Sequence, residues 1–149
     1  MTAVWLLVAT AVLVVAVGVA LRRRSGRVRQ AAAGTTQPLP PAVLAELDRA
    51  GALPGDDGVT LLQLSTTFCA QCRQASVLLS DVARRTPGLR HVELDLTERP
   101  ELAAALRVRS TPTTLAVGAG GRELLRLVGV PRRDTLLDAL RPHLRPLSR

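Results

Sequence analysis

From Ala3 to Leu21 the chain carries no charged residue, and nearly every position is apolar. A helix needs about 20 apolar residues to cross the hydrocarbon core of a bilayer. A helix that is apolar on every face also has no polar side to offer water. The pattern predicts one uncleaved transmembrane helix over residues 1–21. A cleaved signal peptide fits less well, because it would carry basic residues before the apolar run. Here the arginines follow the run, at positions 22, 23, 24, 27 and 29. Ala31–Ala33 has the small residues of a cleavage site but lies beyond that cluster.

Residues 22–40 show no sustained periodicity, end in prolines and read as a linker. Residues 41–149 read as a folded domain. Val43, Leu44 and Leu47 stand at helical spacing, with Pro41 at the start and Gly51 past the end, which predicts a helix over 41–50. Leu53–Gly58 is a turn, and the apolar run Val59–Ser65 is a strand. Ala75, Leu78, Leu79 and Val82 predict a helix over 72–85, stopped by Pro87-Gly88. Leu89–Leu96 alternates as a strand, with Val92, Leu94 and Leu96 on one side and His91, Glu93 and Asp95 on the other. A helix follows over 100–106, then strand 113–117, a turn at Gly118–Gly121, strand 123–128 and a helix over 133–144. The order is α-β-α-β-α-β-β-α. A βαβ unit followed by an antiparallel hairpin predicts an α/β domain with a mixed sheet and helices on both faces.

Charge adds a direction. The chain has 20 basic residues, all Arg, against 12 acids, for a net charge of +8. Five of the arginines lie in residues 22–29, and no acid precedes residue 40, so the rest carries 20 − 5 = 15 Arg against 12 acids, or +3. The excess is local to the end of the apolar run. There it reads as headgroup contact and a topology signal that keeps the domain on the cytoplasmic side. The extracytoplasmic alternative requires the arginine cluster to cross the membrane. A nucleic-acid partner is not expected: Trp5 and Phe68 are the only aromatics, so stacking residues are missing, and no binding motif is present.

The candidate chemistry lies in F-C-A-Q-C, Phe68–Cys72, where strand 59–65 hands over to a helix. A thiolate at a helix start is stabilised by free N–H groups and the helix dipole. This makes Cys69 the exposed nucleophile. Cys72, one turn deeper, can attack the mixed disulfide on Cys69 and leave a Cys69–Cys72 disulfide. Other roles fit less well. A structural disulfide across two residues closes too small a loop to stabilise much. Zinc needs about four ligands, and only His91, His143 and carboxylates remain. Haem attachment would need His where Arg73 stands.

A second motif, R-S-T-P-T at Arg109–Thr113, follows about forty residues later, just before a strand. With it the chain resembles the thioredoxin family over roughly residues 41–144. The resemblance implies a three-layer fold, a mixed sheet flanked by helices. It implies a cis proline at Pro112 beside the cysteines and substrate contacts at Thr111, Pro112, Phe68 and Gly129. The familiar signature W-C-G-P-C is altered: Phe68 replaces Trp, and Ala70-Gln71 replaces Gly-Pro. The family's buried acid, six residues before the first Cys, is Gln63 here, and its paired lysine corresponds to His91. Gln63 cannot act as a base. His91, with an ordinary pKa near 6.5, is the candidate for proton transfer.

The expected activity is thiol–disulfide exchange at a membrane, with protein thiols and disulfides as partners. The electron donor would be a thioredoxin reductase or another thiol protein, since the chain has no flavin or nicotinamide motif. No cofactor beyond the Cys69–Cys72 pair is expected, and no metal. The alternative is a membrane-bound adaptor or metallochaperone of the same fold, without redox turnover.

Overall fold

The computed structural model describes residues 2–24, 27–30 and 38–144. Helix α1 (Thr2–Arg24) is followed by strand β1 (Arg27–Gln30) and helix α2 (Pro41–Arg49). Strand β2 (Val59–Ser65), helix α3 (Ala70–Arg85) and strand β3 (Leu89–Asp95) form a βαβ unit with parallel strands. Helix α4 (Pro100–Ala105) leads to strands β4 (Thr113–Gly118) and β5 (Arg122–Val128), and helix α5 (Arg133–Leu140) ends in a 3-10 turn, Arg141–His143.

One sheet has the order β1-β5-β4-β2-β3. Only β2 and β3 run parallel; the other neighbours are antiparallel. All seven residues of β2 are buried, as expected of a central strand covered on both faces. Its side chains divide by the period of two. Leu62 and Leu64 join Val43 and Leu47 of α2, Leu102 of α4, and Leu115 and Val117 of β4. Leu61 joins Ala75, Leu79 and Val82 of α3, Leu125 and Leu127 of β5, and Leu136 and Leu140 of α5. Two apolar layers thus hold the helices against opposite faces of the mixed sheet. The hairpin between β4 and β5 passes through a 3-10 turn, Ala119–Gly121, where Gly120 and Gly121 have φ of 67° and 70°.

Two expectations are corrected. The segment 22–40 is not wholly a linker. Arg27–Gln30 pairs with β5, and Pro38 bridges to Arg122 at that strand's other end. R-V-R-Q has one apolar residue, too few to show a period. The last helix is shorter than 133–144, because Pro142 lies in a 3-10 turn and lacks the N–H an α-helix would use.

Among the described residues, no helix is long and apolar enough to cross a membrane. The described side chains of α1 run from Val4 to Ala20. These side chains are all exposed. The Thr10 hydroxyl donates to the Leu6 carbonyl inside the helix at 2.9 Å.

Candidate functional site

Cys69 and Cys72 are joined as a disulfide at the start of α3. Cys69 is the N-cap residue, in extended conformation, and its sulfur accepts the backbone N–H of Cys72 at 3.1 Å. The two sulfurs have unequal access. Cys69 is half-buried, whereas Cys72 is 2% exposed. Capping by a sulfur explains why α3 begins at Ala70 rather than at Cys72. Once the pair is reduced, the same N–H and the helix dipole favour a thiolate at Cys69.

The approach to the disulfide is tied down by the neighbouring β3–α4 connection. The Thr67 N–H donates to the Thr97 hydroxyl at 2.9 Å, and the Thr67 hydroxyl donates to Asp95 at 3.2 Å. Asp95 in turn accepts from the Thr97 hydroxyl and N–H, at 2.5 and 2.8 Å. These bonds hold the Asp95 carboxyl below the usual carboxylate range, the Thr97 side chain contributing most. Sequence reasoning missed this brace. Its signal is the D-L-T spacing, an Asp that can bond the backbone two residues on. Phe68 stands between the brace and Cys69 with its side chain out, 95% exposed.

The Thr111–Pro112 bond is cis, as expected. Thr113 pairs with Leu64 of β2 on one side and Val128 of β5 on the other. This register sets Pro112 at the end of the sheet from which the disulfide projects. Pro112 is buried, and its carbonyl accepts the Gly129 N–H at 2.8 Å. Gly129 has φ of 82°, a conformation suited to glycine. Thr111 and Thr66 share a hydroxyl contact at 3.3 Å. Phe68, Cys69, Cys72, Thr111, Pro112 and Gly129 therefore all belong to one end of the sheet.

Behind the disulfide lies a polar chain. The fully buried Gln63 donates from Nε2 to the Cys72 carbonyl at 2.9 Å. That carbonyl can only accept, so Gln63 Oε1 must face the other way, where His91 Nε2 lies at 3.1 Å. An amide oxygen also only accepts, so Nε2 of His91 carries the proton. Its Nδ1 then accepts from the Ser80 hydroxyl at 2.9 Å when the ring is neutral. Burial keeps the imidazole below its ordinary pKa, with Glu93 acting in the opposite direction. His91 thus reaches Cys72 through Gln63 and the backbone carbonyl. Ser80 was not singled out in the sequence, since a helix residue facing a neighbouring strand has no local signature.

Among the described residues no group of three or more His, Cys, Asp or Glu side chains is placed to hold a metal ion. A shallow cleft bordered by Pro54, Gly58, Gly88 and Arg90 lies where β2 and β3 begin, at the end of the sheet opposite the disulfide.

Comparison with known proteins points the same way. The family model described as Thioredoxin matches residues 51–142. The chain is 31% identical over 90 residues to the thioredoxin of Staphylococcus aureus, covering 60% of this chain and 86% of that protein. It is 32% identical over 74 residues to Thioredoxin H5 of Oryza sativa subsp. japonica, covering 50% of this chain and 54% of that protein. The rice match thus spans about half the length of its relative. In structure the chain is similar to oxidized mitochondrial thioredoxin 3 of Saccharomyces cerevisiae, with a TM-score of 0.53, 21% identity, and coverage of 66% of this chain and 89% of that one. It is also similar to reduced thioredoxin pre-protein of Schistosoma mansoni, with a TM-score of 0.55, 15% identity, and coverage of 72% and 95%. At these identities the structural likeness speaks for the fold alone.

Proposed function

Because this chain belongs to the thioredoxin family and is a thiol–disulfide oxidoreductase, we propose that it exchanges disulfides with protein substrates while tethered to a membrane by α1. In the reducing direction, the Cys69 thiolate attacks a substrate disulfide. The substrate S–S bond breaks, and a mixed disulfide forms at Cys69. Cys72, as thiolate, then attacks the Cys69 sulfur and expels the second substrate thiolate. The substrate gains two electrons and two protons, and the enzyme keeps the Cys69–Cys72 disulfide. A reduced thiol protein or a thioredoxin reductase restores the dithiol. Thr111, Pro112, Gly129 and Phe68 frame the substrate approach.

The observation that carries this reading is the unequal access of two bonded sulfurs at a helix start. The test is trapping. Cys72→Ser should accumulate mixed disulfides with protein substrates, and Cys69→Ser should not. Equal trapping by both variants, or none by either, overturns the assignment of roles.

The tether rests on the uncharged run Ala3–Leu21, carried within the 23-residue helix α1. It also rests on the exposed apolar surface along α1, which water does not favour, and on the arginines that follow. Their position favours a domain on the cytoplasmic side. There a low-potential pair rests mostly as dithiol. A fluorescent-protein fusion at the C-terminus should glow, and an export-dependent phosphatase fusion should stay inactive. The opposite result moves the domain to the other side.

A further inference from the structure

The register of the sheet gives the tether a direction. Leu94, Leu64, Thr113, Val128 and Arg27 form one rung across all five strands. Thr113 follows the cis Pro112, and the Gly129 beside Val128 bonds the Pro112 carbonyl. β1 therefore enters the sheet at the disulfide end. With strands ~4.8 Å apart, Arg27 lies about 10 Å from Thr113. α1 ends at Arg24, and three residue steps of at most ~3.6 Å each connect it to Arg27, about 11 Å in all. Val59, at the opposite end of β2, stands about 17 Å farther along the strand direction, five steps of ~3.3 Å.

Resting on the tethered reading above, we infer that the Cys69–Cys72 end of the domain sits at the lipid headgroup surface. Its substrates are then disulfides carried at that level by membrane proteins. The attachment point is at the reactive end itself, and the connection is too short to let the opposite end take its place. The surface there suits headgroups. Arg73 in the first turn of α3, Arg109 before the cis Pro112 and Arg132 ahead of α5 are exposed, and each can meet an anionic lipid. The exposed Phe68 beside Cys69 offers an aromatic ring to the headgroup–acyl boundary.

The test uses the full chain in vesicles of phosphatidylcholine and phosphatidylglycerol, with Trp5→Phe removing the native tryptophan. Phe68→Trp reports the disulfide end, and Asp56→Trp, at an exposed turn before β2, reports the opposite end. With lipids spin-labelled at the headgroup, Phe68→Trp should lose most of its fluorescence and Asp56→Trp almost none. Equal loss at both positions, or loss at Asp56→Trp alone, overturns the orientation while the tether stands. If the chain does not enter the vesicles, the tethered reading fails, and this inference falls with it. A second arm uses the reduced protein in the same vesicles with a disulfide peptide on an acyl anchor. Held at the headgroups, the peptide should be reduced faster than when raised on a rigid Pro-rich spacer. The reverse order contradicts the proposed substrate class.

Discussion

Gln63 hydrogen-bonds through its amide nitrogen to the backbone carbonyl of Cys72, at 2.9 Å and fully out of water. The bond joins the middle of β2 to the first turn of α3, directly behind the disulfide. Replacing Gln63 with Leu keeps the volume nearly constant but leaves the Cys72 carbonyl and the His91 N–H without this partner. A buried group left unsatisfied costs about 1–3 kcal/mol. Gln63→Leu should therefore lower stability by about that amount in urea unfolding. An unchanged midpoint would show that the bond contributes nothing net.

His91 gives a pH signature. Its folded-state pKa lies below 6.5 because of burial, so below pH 6.5 the unfolded chain binds the proton more readily than the folded one. Stability then rises with pH through the window between the lowered folded value and 6.5 and is level above it. His91→Gln should flatten this window. A slope that persists in the variant belongs to another group.

The acid limb has a different source. Asp81 of α3 is bonded first by Arg133 of α5 and then by Arg85 and Arg84, which hold its carboxyl well below the carboxylate range. Its folded pKa is depressed, so its contribution is present above the unfolded value of 3.8 and is lost as pH falls further. Asp81→Asn should reduce stability at neutral pH and bring variant and parent together in strong acid. The check is thermal unfolding at a series of pH values.

Gly121 fills a place no side chain suits. A Cβ there would lie 2.3 Å from Cδ2 of Leu44, and its φ is 70°. The left-handed conformation alone costs a non-glycine residue roughly 1–2 kcal/mol. Gly121→Ala should destabilise by at least about that much in urea unfolding. The hairpin is remote from the sulfurs, so the rate of disulfide exchange in the folded protein should stay the same.

Phe68 is the contrasting case. Its exposed side chain supports no packing, so Phe68→Ala should change stability by no more than about 0.5 kcal/mol. It should slow reaction with protein disulfides more than with a small disulfide such as oxidised glutathione, measured by stopped-flow. Equal slowing of both would assign Phe68 to the cysteines rather than to the substrate.

The parts of this fold legible in the sequence are those with local signatures. The apolar run of β2, the helical period of α3, the two cysteines and the proline before β4 all announce themselves. β1 does not, because four residues with one Val carry no period, and their place is decided by β5. The first turn of α3 escaped because Ala70 and Gln71 show no apolar spacing, and the cap is a sulfur. The Gln63–His91–Ser80 chain depends on the parallel register of β2 and β3 and on the way α3 packs over it. Sequence spacing alone does not place residues 63, 80 and 91 in a line.

The unequal access of the two sulfurs also bears on oxidative damage. A peroxide that reaches the reduced protein meets Cys69, since Cys72 is buried. Two-electron oxidation gives a sulfenic acid on Cys69 and water. The Cys72 thiol lies within bonding range, as the disulfide between them shows. It condenses with the sulfenic acid, forming the Cys69–Cys72 bond and releasing a second water. The irreversible sulfinic and sulfonic states require a further encounter with oxidant before that ring closes. The buried partner therefore works as a built-in repair group, returning an oxidised enzyme to an ordinary state of its own cycle.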